Sequence, residues 1–307
     1  MTSYVASLLG SRAKRPRQRR LDRGSAGFAW TLPAVVLVGI VTLAPIASVV
    51  LASLTDRTVG NDGEFIGLGN YADLASDPLF WSSLRNNLVL TLNVPLSVVI
   101  GLVLAGILFR GVRFSGFFEV VLFLPFLISV ASTSVIFLFL LQLHGPVNSG
   151  LEALGLDFLA RPWLTRSETA TLSVLAVMLW QKIGFVVVLF YARLLSLDTE
   201  VLEAAAVDGA SFWQAYRKIA VPQLRNVIVF VAILGVIDAF AFAFNYVFVL
   251  TSGGPLEASY ELGFLLFQTQ FRQLLIGKAS AIAVVLVIVA LVFGMYRVYD
   301  ARREGLR

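Results

Sequence analysis

Six stretches of this chain are long, apolar and nearly free of charge, at about residues 31–54, 88–109, 120–143, 170–192, 227–250 and 274–296. Each approaches the ~20 residues that a helix rising 1.5 Å per residue needs to cross ~30 Å of hydrocarbon. Polar positions concentrate instead in the first thirty residues, in a segment at 55–85 and in a helix-like stretch at 198–222. The pattern predicts an all-α, polytopic membrane protein with six transmembrane helices. A closed barrel would show short alternating strands rather than long continuous runs, and an open sheet cannot span a membrane. The first run is long and lacks a small-residue cleavage signature, so it reads as a retained span and not a signal peptide. Pro33 and Pro45 within it predict a local bend or close packing against neighbours.

Composition agrees with the pattern: 58% of residues are hydrophobic and 14% charged, too apolar for an ordinary soluble domain. The 24 Lys and Arg residues then set an orientation. Arg12, Lys14, Arg15, Arg17, Arg19, Arg20 and Arg23 precede the first run, and Arg110 and Arg113 come after the second. Arg193, Arg217, Lys218 and Arg225 flank or fill the loop after the fourth, and Arg297, Arg302, Arg303 and Arg307 come after the sixth. The opposite loops hold only Arg57, Arg85, Arg161, Arg166 and Arg272, mixed with acidic residues. The excess of positive charge on one side predicts that both termini are cytoplasmic. Topology and anionic lipid account for the basic arm KRPRQRR more simply than nucleic acid does, and no nucleic-acid partner is expected. With no cysteine there is no disulfide, thiolate nucleophile or Cys-ligated metal, and His144 alone makes no zinc site.

Charges within the runs are few: Lys182 in WQKIGF, Asp238 in VIDAFAF and Lys278 near the outer end of the sixth. An ionisable group inside a membrane is costly unless it faces protein or water, so each is a candidate for a solute pathway. Each also has a plainer reading, Lys278 by snorkelling outward and Lys182 and Asp238 by pairing within the bundle.

The stretch at 198–222 reads as two short helices. Residues 199–208 are rich in helix formers, with Asp198 or Thr199 as cap, and Gly209 interrupts them. Ser211 followed by Gln214 predicts a capping box for a second helix, with Phe212, Tyr216 and Ile219 on one face, and Pro222 precedes the return to apolar chain. Small side chains at Ala204, Ala205 and Ala206 permit close approach by another body, and Glu203 and Asp208 can orient it. Composition leaves a second possibility open, a helix pair that packs only on its own bundle.

EAAAVDGASFWQAYRKIAVP, at 203–222, resembles the EAA loop of the inner-membrane permease subunits of binding-protein-dependent ABC importers, especially the carbohydrate-uptake group that includes the maltose and glycerol-phosphate systems. FIGLGNYADL at 65–74, RNNLVL at 85–90, VLFLPFLIS at 121–129, WQKIGF at 180–185, FNYVFVLTSGGP at 244–255 and IGKASAIAV at 276–284 resemble further segments of that family. The likeness covers nearly everything from Trp30 onward. Gly184 stands where proline is usual, Asn245 where an acidic residue is frequent and Asn226 where proline is common.

The resemblance implies a type I importer permease fold, with a basic cytoplasmic tail at 1–29, a permease domain at 30–300 carrying a coupling loop at 198–222, and a short tail at 301–307. It implies that Glu203, Ala204, Ala205, Asp208 and Gly209, completed by Ile219 and Pro222, dock on an ATPase subunit. The implied partners are a second homologous permease, two ATP-binding cassette subunits, an extracytoplasmic solute-binding protein, the lipid of a bacterial or archaeal inner membrane and a sugar or sugar-derived solute. ATP and Mg would be bound by the ATPase subunits, because this chain has no GxxxxGK[ST] phosphate loop and no cofactor of its own is expected. Gln181, Lys182, Asp238, Asn245 and Tyr246 are the candidate pathway residues, since a polyhydroxylated solute is bound by amide and hydroxyl groups beside aromatic faces. A non-sugar solute such as glycerol 3-phosphate, a peptide or an amino acid is the alternative. An intramembrane hydrolase is disfavoured by one His, no Cys and no HExxH pair, and a non-transporting scaffold would share the topology.

Overall fold

The computed structural model describes residues 23–304. Most of the expected basic tail therefore lies outside the described residues, as do residues 305–307, and Arg23 to Ala29 are already helical. The chain divides into two units, before and after the Ser48–Val49 boundary. Helix α1 (Arg23–Ser53) supplies the described part of the first with its residues 23–48, and both Pro33 and Pro45 lie inside it.

The second unit is almost entirely helical. After α1 come α2 (Gly69–Ser76), α3 (Pro78–Leu90), α4 (Asn93–Phe109), α5 (Ser115–Leu127), α6 (Val130–Leu140), α7 (Pro146–Ala153) and α8 (Ser167–Leu195). Then come α9 (Thr199–Val207), α10 (Phe212–Ala215), a π segment (Tyr216–Ala220), α11 (Val221–Gln223) and α12 (Arg225–Ile237). A second π segment (Asp238–Phe242), α13 (Ala243–Leu250), α14 (Leu262–Phe271) and α15 (Ile276–Glu304) complete the chain.

Among the described residues, four helical stretches are long and apolar enough to cross a membrane: Trp30–Ser53, Pro78–Phe109, Ser167–Leu195 and Arg225–Leu250. The second starts ten residues earlier than the apolar run suggested, because Asp77 accepts from the Leu79 amide as N-cap and Pro78 starts α3. The expected third span is broken: α5 and α6 meet at 97°, and counting the pair as one span gives five. Pro125 removes one backbone donor near the end of α5, Ile128 turns extended, and Ser129 caps α6 through the Ser132 amide. The described apolar part of the last helix, Ile276–Val292, is shorter than a full span.

Helix α8 is the axis of the bundle, with α4 and α5 packed along it. In lipid, helices gain little from apolar contact alone, so small residues and polar bonds decide how closely they approach. Gly184 shows this most directly: an added Cβ would lie 1.7 Å from the Leu122 carbonyl oxygen of α5. A proline would carry the same excluded carbon, so this packing requires the glycine found here. Two buried clusters flank the contact, one around Val174, Met178, Tyr246, Leu262 and Ile282, the other around Ala105, Phe190, Leu194, Tyr216 and Leu224.

Buried asparagines tie the connections down. Asn70 donates to the Ser53 and Thr55 carbonyls at the end of α1. Asn86 donates to the carbonyls of Ala258 and Tyr260, and Asn87 accepts from the Leu262 amide, so two adjacent residues of α3 hold the chain entering α14. Lys278 does not simply extend outward; its Nζ lies 3.0 Å from Asp77 Oδ2. Burial on its own would raise the Asp77 pKa, but the bond from Lys278 and the α3 amides outweigh it and lower the carboxyl below its usual value.

Gly184→Ala should cost about 1–3 kcal/mol through overpacking of α5 on α8. Thermal unfolding of the detergent-solubilised chain reads this, and an unchanged midpoint would contradict the close approach at Leu122.

Candidate functional site

The loop after α8 forms the two capped helices the sequence predicts, but the second is short, α10, and runs on into the π segment Tyr216–Ala220, which the sequence did not predict. Asp198 caps α9 through the Glu200 amide at 3.0 Å. At the other end, the Gly209 amide donates to the Ala206 carbonyl and the Ala210 amide to the Ala205 carbonyl. These are the two bonds of a Schellman motif, which requires a left-handed residue, and Gly209 has φ +84°. The capping box then starts α10: the Ser211 amide donates to Gln214 Oε1 at 2.8 Å, and the Gln214 amide to Ser211 Oγ at 3.4 Å.

One side of this element grips the bundle. Tyr216 is buried and its hydroxyl donates to the Leu102 carbonyl of α4 at 2.6 Å. Its ring stacks on Phe212, over which the Arg110 guanidinium lies, and both Tyr216 and Trp213 close on Gly106. Burial pushes the Tyr216 hydroxyl up to about 12, so it stays a donor at any physiological pH. The other side is bare. Glu203, Ala204, Asp208 and Gly209 are exposed, Ala205 is half-buried, and Val207 is 87% exposed. Ile219 is half-buried and Pro222 is exposed within α11, so the expected docking residues fall on α9 and its turn with two outliers further on.

The expected pathway residues separate into two bonded pairs and one exception. Lys182 Nζ lies 3.1 Å from Asp238 Oδ2, with side chains 24% and 16% exposed, and also sits above the Phe126 ring. Gln181 is buried: it donates to the Ile128 carbonyl at the break between α5 and α6, and accepts from the Tyr246 hydroxyl, each at 2.6 Å. Asn245 lies apart from them, exposed, with its amide 3.4 Å from the Phe242 carbonyl. A cavity of about 140 Å³ is lined by Lys182 and Asp238 together with Asn93, Ser97, Phe126 and Phe185. Phe126 and Phe185 stack with centroids 4.6 Å apart. Asn93 and Ser97 were not candidates in the sequence, where a single amide and hydroxyl in α4 carry no signal of the neighbours they meet.

The described residues contain no group of three or more His, Cys, Asp or Glu side chains able to hold a metal ion. The arrangement offers instead an exposed helical knob anchored on the bundle, and a small, mostly apolar cavity within it that carries the polar groups of Lys182, Asp238, Asn93 and Ser97.

Residues 94–305 match the model of the binding-protein-dependent transport system inner membrane component. The chain belongs to this family. It is 34% identical over 264 residues to a probable ABC transporter permease protein of Pyrococcus horikoshii, covering 85% of this chain and 90% of the relative. It is 30% identical over 285 residues to the lactose transport system permease protein of Rhizobium radiobacter, covering 91% and 94%. A crystal structure of a bacterial alginate ABC transporter, in complex with a periplasmic protein bound to an alginate pentasaccharide, contains a chain with the same fold, with a TM-score of 0.78 and 21% identity over 92% of this chain and 96% of that one. The protein is thus a multi-pass membrane permease subunit and not a catalyst.

In this permease, Lys182→Met should cost about 2–3 kcal/mol, because it strands a mostly buried carboxylate, whereas Lys182→Met with Asp238→Leu should recover most of the loss. Chemical denaturation in detergent measures both, and additive losses would show that the pair is not a unit. Gly209→Pro is incompatible with φ +84° and deletes the amide bonded to Ala206, so the Schellman turn should be lost while the helices beyond it persist. Limited proteolysis at 203–212 should accelerate several-fold, with unchanged insertion into membranes.

Proposed function

We propose that this permease is one half of the membrane pathway of an ATP-driven sugar importer, and that α9 with its Gly209 turn is the coupling element. The observation that carries the reading is the two-sidedness of residues 198–222. A rigid, exposed face of small and acidic residues is joined through Tyr216, Phe212 and Trp213 to α4, and α4 packs on α8, which bears Lys182. A displacement applied to α9 therefore has a packed route to the cavity.

In this reading six spans place both termini in the cytoplasm, with the bent α5–α6 pair as the third span and the start of α15 as the sixth. A second homologous permease completes the pathway. Two cytoplasmic ATPase subunits bind ATP and Mg, and an extracytoplasmic binding protein delivers the solute. Opening first to one side and then the other comes from rearrangement of the two permeases about their interface. Glu203, Ala204, Ala205, Asp208 and Gly209 form the docking core, with Ile219 and Pro222 completing its base. Lys182 and Asp238 contact the pathway, whereas Gln181 and Tyr246 shape it by holding helices in place. A sugar is favoured over a charged solute because the relative in Rhizobium carries lactose in its name and because the charges of Lys182 and Asp238 offset each other.

The test is reconstitution. The tagged permease should co-purify from mild detergent with a second permease and two ATPase copies, and proteoliposomes of the complex should accumulate a neutral sugar such as lactose, or another sugar bound by the cognate binding protein. Uptake of glycerol 3-phosphate or an amino acid to the exclusion of neutral sugars would refute the sugar assignment. Glu203→Lys should weaken ATPase-subunit binding about tenfold through a reversed charge at the contact; unchanged affinity would remove Glu203 from the docking core.

A further inference from the structure

The fifth apolar helix is regular over α12 and α13, and the π segment Asp238–Phe242 lies between them. A π turn holds about one residue more than an α turn. Asp238 and Tyr246 are eight residues apart, and in an unbroken α-helix that separation turns about 800°, leaving them about 80° out of phase. With one surplus residue absorbed, the separation behaves as about seven α-helical steps, or about 700°, within about 20° of two full turns. That phase is what lets Asp238 meet Lys182 while Tyr246 meets Gln181, the preceding residue on α8.

A π segment also disturbs the backbone ladder, and inside a bilayer a disturbed carbonyl needs another donor. Asn87 of α3 provides one: its Nδ2 donates to the Ala239 carbonyl, within the π segment, at 2.7 Å. The same side chain accepts from the Leu262 amide at 2.8 Å, and its Nδ2 lies 3.4 Å from Glu261 Oε2, so it is held from both directions. We propose that Asn87 is a positioning residue that keeps the surplus residue at 238–242 and thereby sets the phase of Asp238 and Tyr246 toward Lys182 and Gln181. Its consequence for transport rests on the importer reading; its consequence for the helix does not. The neighbouring Asn86, which bonds only the connection entering α14, does not share this role.

The chain has no cysteine, so engineered pairs report the phase without background. One pair, Ser97→Cys with Val231→Cys, lies across the cavity before the π segment; the other, Gln181→Cys with Tyr246→Cys, lies after it. In the full-length permease in native membranes, both pairs should cross-link with a short bifunctional thiol reagent. Asn87→Leu should reduce cross-linking of the second pair about tenfold, the scale of losing one buried hydrogen bond, and spare the first. Asn86→Leu should spare both.

Deleting Ala241, an exposed residue of the π segment, gives an independent second test. The shortened helix is regular yet keeps the seven-step phase, so both pairs should still cross-link, and the deletion should restore the second pair in the Asn87→Leu chain. In a helix without a surplus residue the same deletion would swing Tyr246 by about 100°. Unchanged cross-linking in Asn87→Leu, loss of both pairs there, loss of the second pair in Asn86→Leu, or loss of the second pair on deleting Ala241 would each overturn the proposal. These measurements use no solute and no ATP, so they stand whether or not the importer reading does; ATP hydrolysis by the reconstituted complex tests that reading separately.

Discussion

Inside hydrocarbon an unpaired backbone carbonyl costs several kcal/mol, and a helix that breaks or widens there must find a donor elsewhere. This permease breaks one helix at Ile128 and widens another at Ala239, and each of these carbonyls accepts from a primary amide of a different helix. Gln181 of α8 reaches Ile128, and Asn87 of α3 reaches Ala239. The break at Ile128 is thus tied to α8 and the π segment to α3, and Gln181 uses its acceptor on Tyr246 to tie the helix beyond the π segment to α8 as well. The geometry of the polar layer, including the separation of Lys182 from Asp238, depends on how those two backbone defects are satisfied.

Satisfaction of polar groups also explains why the bundle can be close-packed where it matters. Gly184 lets the Leu122 carbonyl approach α8, and Gly106 lets the rings of Tyr216 and Trp213 settle on α4. Both contacts put backbone against a neighbour with no intervening side chain, so relative movement of these helices is resisted by hard contact and not only by soft apolar packing. The element at 198–222 is stiff for a complementary reason. Its turn is closed at both ends by hydrogen bonds, the Schellman pair at Gly209 and the capping box at Ser211, which leaves little freedom to absorb a push before it reaches Tyr216.

How much of the molecule was legible in the sequence depended on the range of the interactions concerned. The apolar runs, the charges within them and the two capped helices of 198–222 depend on residues a few positions apart, and all were readable. Bonds such as Asn87 to Ala239 or Asn86 to Tyr260 join residues more than 150 positions apart, and nothing local marks their partners. Proline was an ambiguous sign: Pro33 and Pro45 lie within one helix, while Pro125 precedes a 97° break. The residues after Pro125 make the difference, an extended Ile128 whose carbonyl is bonded by Gln181 and a serine able to cap a new helix. The π segments have no residue signature at all; VIDAFAF reads as ordinary helix until the eight-residue spacing of Asp238 and Tyr246 is set against their adjacent partners on α8.

The register of that helix accounts for how Lys182 and Asp238 meet, but not for why they are charged. An apolar pair of similar volume would pack at no greater cost, so stability alone does not account for two charges in the bundle. Their side chains keep partial access to the cavity that Asn93 and Ser97 also line, and a bonded pair there presents a donor and an acceptor without net charge. In the proposed importer such a pair would exchange part of its own hydrogen bonding for that of a neutral hydroxylated solute, whereas a lone charge would hold an ionic one more firmly. The cost of burying charge thus singles out Lys182 and Asp238 within the bundle, where the long-range contacts of α8 and α12 bring them together.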